Sequence, residues 1–122
     1  MRRWLWAAWW LCLALWTVGL TTTFPVYVHR ALLPVDPAGI PVSKVLHVTA
    51  YAFLAGLAAW LRPAGVSRWL LLLLLLEHGV ATEWIQGFVP ERTSSVNDIL
   101  IDHCGVALGT ALAWPWWRRP SG

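Results

Sequence analysis

Lys44, His47 and Tyr51 are spaced by three and four residues, Glu83 and Gln86 by three, and Asp98 and Asp102 by four, so each set lies on one face of a helix. Such residues can do three kinds of chemistry. Glu83 or Asp98 could serve as a general base and His47 as acid or base, given partners close in space. Lys44 and Arg92 could meet a phosphate or carboxylate while Gln86 and Tyr51 donate hydrogen bonds. Asp98, Asp102, Glu83 and His47 could hold a divalent metal, because hard cations favour carboxylates. No ligand spacing is diagnostic, however, and no metal or other cofactor is expected. A nucleophile motif is lacking, since Ser94 and Ser95 read as helix caps and Cys104 as too buried for a reactive thiolate. The plainer alternative is that Arg92 and Lys44 pair with the carboxylates and fasten the fold. Buried pairs add little net stability over apolar packing, and a chain this rich in Leu and Trp has little need of them.

The elements that must position these residues are set by composition. Of 122 residues, 58% are hydrophobic and 12% charged, with eleven Trp and an unbroken apolar run from Trp69 to Leu76. Soluble domains carry about 25% charged residues. A bilayer span needs about 20 residues, so the length allows a single membrane domain over residues 1–122, an all-α bundle of four spans at about 4–21, 44–61, 68–87 and 96–114. The first run is about 17 residues and lacks an A-x-A-like site, so it reads as a retained helix rather than a signal peptide. Ser43 and Ser67 read as N-caps of the second and third spans, and Ser95 with Asp98 as a capping box opening the fourth. The nine basic residues form no tract, which excludes nucleic acid as a partner despite the net charge of +3. Arg2, Arg3, Arg62, Arg68, Arg118 and Arg119 fall on one side and Arg30, Lys44 and Arg92 on the other. The excess puts both termini in the cytoplasm, with Trp4, Trp6, Trp60, Trp69, Trp114, Trp116 and Trp117 at the inner interface.

The polar sets extend into longer stripes, Lys44 through Leu54 to Ala58, Gln86 and Glu83 through Gly79 to Leu76 and Leu72, and Asp98 and Asp102 through Gly105 and Gly109 to Leu112. Every stripe is polar at its outer end, so one chamber opening to the outer leaflet would collect them. Glu77, His78 and His103 point away. Glu77 needs a partner, such as the Trp16 indole or a second copy of the chain, and the GxxxG of Gly105 and Gly109 offers another surface for a second copy. Residues 22–42, with Pro25, Pro34, Pro37 and Pro41, read as an interfacial loop of no inferred fold. Cys12 and Cys104 lie at different depths and read as small apolar residues.

Lys44-x-x-His47-x-x-x-Tyr51, Glu83-x-x-Gln86-x-Phe88-x-Pro90-x-Arg92, Ser95-x-x-Asp98 and Gly105-x-x-x-Gly109 together resemble the VanZ-like family over about residues 43–109. This is a group of small polytopic bacterial membrane proteins named for an accessory teicoplanin-resistance protein. The chain departs from the family pattern at Ser43, where Asp is usual before the Lys, and at Asp102, where Asn is usual. The resemblance implies a protein of the bacterial cytoplasmic membrane with a link to glycopeptide tolerance, and it fixes no reaction or ligand. Three functions remain open: a binding protein for a membrane lipid or lipid-linked envelope ligand, an intramembrane acid/base or metal-assisted enzyme, and a scaffold working through the Trp-rich first span.

Overall fold

The computed structural model describes residues 3–32, 42–61 and 66–119. The sequence expectations at Arg2, Pro34, Pro37, Pro41, Arg62 and Pro63 lie outside them. The described residues form six helices: α1 (Arg3–Thr21), α2 (Phe24–Leu32), α3 (Val42–Trp60), α4 (Val66–Gln86), α5 (Val96–Leu112) and α6 (Trp114–Trp117). Among the described residues there is no strand, as expected of an all-α chain.

Local chemistry sets the helix ends. Ser95 is extended, at φ −144° and ψ 128°, and its hydroxyl accepts from the Asn97 amide, which starts α5. Pro115 falls in the first turn of α6, where its missing N–H costs nothing. Two expected caps are corrected: α3 and α4 begin at Val42 and Val66, one residue before Ser43 and Ser67, so both serines lie within the first turn. Part of the Pro-rich stretch is also more regular than expected. With Pro25 in its first turn, α2 runs for nine residues.

The four long helices alternate in direction. Along α3 and α5, Lys44 meets Asp98, His47 meets Asp102 and Tyr51 lies against Gly105, so these two run parallel. Helix α4 runs against them, with Gly79 beside Asp102 and His78 bonded to Tyr51. Helix α1 runs with α4, its Trp9 indole donating to the Leu54 carbonyl at 3.0 Å and Thr17 meeting His78. Small residues let α3 and α5 touch. A Cβ added at Gly105 would fall 2.7 Å from the Val48 carbonyl oxygen, and one at Gly109 would fall 2.1 Å from that of Ala52. The GxxxG surface is thus filled by α3 of the same chain.

Trp9, Leu13, Leu54, Ala55, Ala58, Leu75 and Val106 form the core together with Trp117. Trp117 is therefore a core residue and not an interfacial anchor. Much of the outside is apolar: Leu11, Leu15, Val18, Leu70, Leu73 and Leu112 are all exposed. So is Cys104 on the protein's own surface, and both cysteines are free. Helices α1 and α3, at 19 residues each, are long and apolar enough to cross a membrane. Helix α5, at 17 residues, is about 26 Å long.

Candidate functional site

The polar residues gather at the end of the bundle where α3 and α5 begin and α1 and α4 finish. Lys44 Nζ donates to Asp98 Oδ1 at 2.9 Å. One turn deeper, His47 Nδ1 and Asp102 Oδ1 are 2.7 Å apart, with the histidine buried and the aspartate 1% exposed. The Trp16 ring stands edge-on to His47 and Tyr51, at 5.5 and 6.3 Å between centroids. Gly79 makes room for the aspartate, because a Cβ there would lie 3.1 Å from Asp102 Cβ and 3.2 Å from its Oδ2.

Below this pair runs a chain of hydroxyls and imidazole. Thr17 gives its one proton to the Leu13 carbonyl at 2.7 Å, so it can only accept from His78 Nε2, also at 2.7 Å. In the neutral ring Nδ1 is then an acceptor, and the Tyr51 hydroxyl donates to it at 2.9 Å. His78 thus faces the interior and bridges three helices, which corrects its expected outward placement.

Glu83 is 1% exposed, and its Oε1 accepts the Ser95 amide at 2.6 Å. In a capping box the acidic residue three positions after the cap takes that amide. Here a residue of α4 takes it instead, which leaves Asp98 for Lys44. The expected Ser95–Asp98 box is therefore not formed, although Ser95 still caps α5 through the Asn97 amide.

Among the described residues Arg92 donates to main-chain carbonyls and not to the carboxylates expected of it. Its Nε and Nη2 donate to the carbonyls of Thr22 and Gly19 at 2.9 and 2.7 Å, where a cation suits the negative end of the α1 dipole. Burial pushes the guanidinium pKa below its usual value and the Glu83 carboxylate pushes it back up. Beside Arg92 a groove of about 400 Å³ opens between α2 and α3, lined also by His29, Ser43 and Leu46. The turn before it is held by Tyr27, whose hydroxyl donates to Glu91 at 3.3 Å.

Four buried polar atoms in this region have no hydrogen-bond partner among the described residues: Glu83 Oε2, Asp102 Oδ2, Gln86 Nε2 and Trp16 Nε1. Two accept and two donate. An unmatched polar atom costs about 1–3 kcal/mol when buried; two more, Arg68 Nε and Trp117 Nε1, lie at the other end of the bundle. Among the described residues, no three His, Cys, Asp or Glu side chains converge to hold a metal ion. Glu77 lies apart, exposed on the outer face of α4, and Trp16 does not serve it. Thr17, Trp16, His29 and His78 are the site residues that spacing alone missed. Only His78, beside Gly79 and four residues before Thr82, carried a usable signal.

The fold and site define a small helical protein with an ionisable cluster buried at one end of an apolar bundle. The VanZ/LLP1 family model matches residues 4–118, nearly the whole chain, and the protein belongs to that family. No curated protein and no solved structure matches it.

Proposed function

We propose that the chain is a multi-pass protein of the bacterial cytoplasmic membrane, a single domain of four spans with both termini in the cytoplasm. Its polar end, in the outer half of the bilayer, receives the headgroup of a lipid-linked envelope ligand. The observation that carries this reading is the set of four unpartnered buried atoms, because intramembrane polar groups are costly and mark function by default. Lys44, Tyr51 and Gln86 would position the ligand beside Asp102, and the groove at Arg92 gives it a way in. A contribution to glycopeptide tolerance follows if that ligand is a wall precursor.

A second reading, an intramembrane enzyme, is favoured by the His47–Asp102 pair. A carboxylate that orients an imidazole is the arrangement of a general base, with Glu83 or Asp98 as further proton carriers. Glu83→Gln separates the readings, since the amide oxygen can still accept from Ser95 and the fold should hold. Turnover of a supplied lipid-linked substrate would disappear in an enzyme. Binding would weaken by about tenfold or less in a receptor. Unchanged copurification of envelope lipid in mass spectrometry would sink the site.

A further inference from the structure

An apolar groove of about 530 Å³ runs along α3 from Val48 to Trp60, against α5 and the α5–α6 corner, and toward the opposite end of the bundle it is lined by Phe53, Gly56, Trp60, Leu108, Leu112 and Trp116. Its floor has an unusual residue. Gly56 lies in the middle of α3, where glycine costs about 1 kcal/mol relative to alanine. Gly105 and Gly109 repay that cost by admitting a neighbouring helix, but a Cβ at Gly56 would meet nothing within 4 Å. Close packing therefore does not explain it. Phe53 and Trp60, 57% and 54% exposed, stand one turn to either side and make the glycine a notch between aromatic walls.

The charge at the groove's end indicates what fills it. Trp60 and Trp116 lie tilted at 51° with 6.5 Å between centroids, and the Arg119 guanidinium sits 5.9 Å from the centre of the Trp116 ring. Arg118 is exposed beside it, and Arg68 donates to the Arg119 carbonyl at 3.4 Å. None of the chain's six acidic residues falls in the described segments that build this end, 3–10, 53–61, 66–76 and 108–119. Cations that have no acidic neighbours, set above an apolar slot and an indole pair, complement a ligand with an anionic head and a hydrocarbon tail.

We propose that this groove seats an acyl chain of an anionic phospholipid, with its phosphate held by Arg118 and Arg119. Guanidinium forks suit phosphate oxygens, indoles suit the carbonyl and glycerol level of a bilayer, and the chain lies over Gly56. This site is separate from the polar end, so either can fail alone.

The test is native mass spectrometry of the full-length protein in detergent, with phosphatidylglycerol or phosphatidylcholine of the same acyl chains added. Wild type should retain phosphatidylglycerol at least about tenfold better than phosphatidylcholine. Gly56→Leu fills the notch and Arg118→Gln/Arg119→Gln removes the head contacts, so each should abolish that preference. Gly56→Leu should also melt no lower than wild type without lipid. Gly56→Ala, a smaller change, should weaken retention partway and guards against a folding failure of the leucine variant. Equal retention of both lipids would overturn the proposal, as would undiminished phosphatidylglycerol on a folded Gly56→Leu protein. A wild-type dimer that Gly56→Leu dissolves would overturn it in favour of a contact between two copies.

Discussion

Arg92 shows how much a single side chain's role depends on where the chain brings it. In the sequence it is the cation just above Asp98 and reads either as a latch on that carboxylate or as a clamp for a ligand. In the structure Lys44 takes Asp98, and Arg92 reaches 70 and 73 residues back to the carbonyls of Thr22, just past α1, and Gly19, in its last turn. It ties the α4–α5 turn to the first helix. Two charge-assisted hydrogen bonds of this kind are worth about 1.5–3 kcal/mol each before the loss of neighbouring contacts is counted. Arg92→Ala should therefore lower the melting temperature in detergent, by about 2 kcal/mol of stability or more. Arg92→Lys, a point charge without the fork, should recover part of it. A melting temperature unmoved by Arg92→Ala would mean that the guanidinium does not fasten α1.

Among the elements, α3 and α5 form the frame from which the site hangs. Their parallel contact puts Lys44, His47 and Tyr51 in register with Asp98, Asp102 and Gly105. Gly109→Ala would drive a Cβ to 2.1 Å from the Ala52 carbonyl, and overpacking that must move a backbone costs about 3 kcal/mol or more. Gly56→Ala, at an open position of the same helix pair, should instead stabilise by about 1 kcal/mol. Thermal melts of the two variants should move in opposite directions, and a Gly109→Ala protein that melts with wild type would contradict the close approach. The stripes of α3 and α5 were legible because three- and four-residue spacing survives into the fold. The stripe of α4 was also legible, since Gln86, Glu83 and Gly79 are buried and Leu76 and Leu72 pack against the core. Leu71 and Leu75, which the stripe left out, are buried more deeply, because the buried face includes His78 and Thr82 and is wider than one row of residues. Periodicity also could not show that Glu83 would take the Ser95 amide, since that bond depends on how α4 is placed against the start of α5.

At the scale of the whole molecule, sequence composition already pointed to an apolar helical bundle, and the alternating helix directions place the ionisable cluster and the arginine-tryptophan cluster at opposite ends. Hydrophobicity could not reveal α2, a short helix of mixed character packed beside the site. If the bundle spans a bilayer as proposed, reporter fusions after Arg119 and at Gly65 should be cytoplasmic and one near Glu91 external. An external signal at the C-terminus would require a different number of spans. The central claim is that the unpartnered atoms at the polar end serve a ligand and not the fold, and Gln86 isolates it. This residue is 3% exposed, and its amide nitrogen has no partner among the described residues. Replacing it by leucine removes a buried mismatch and should leave the empty protein as stable as wild type or more so. Envelope lipid that copurifies with wild type should be lost from Gln86→Leu while its melting temperature holds or rises. A Gln86→Leu protein that melts lower yet keeps the same lipid would contradict the account and make the polar end a structural fastening.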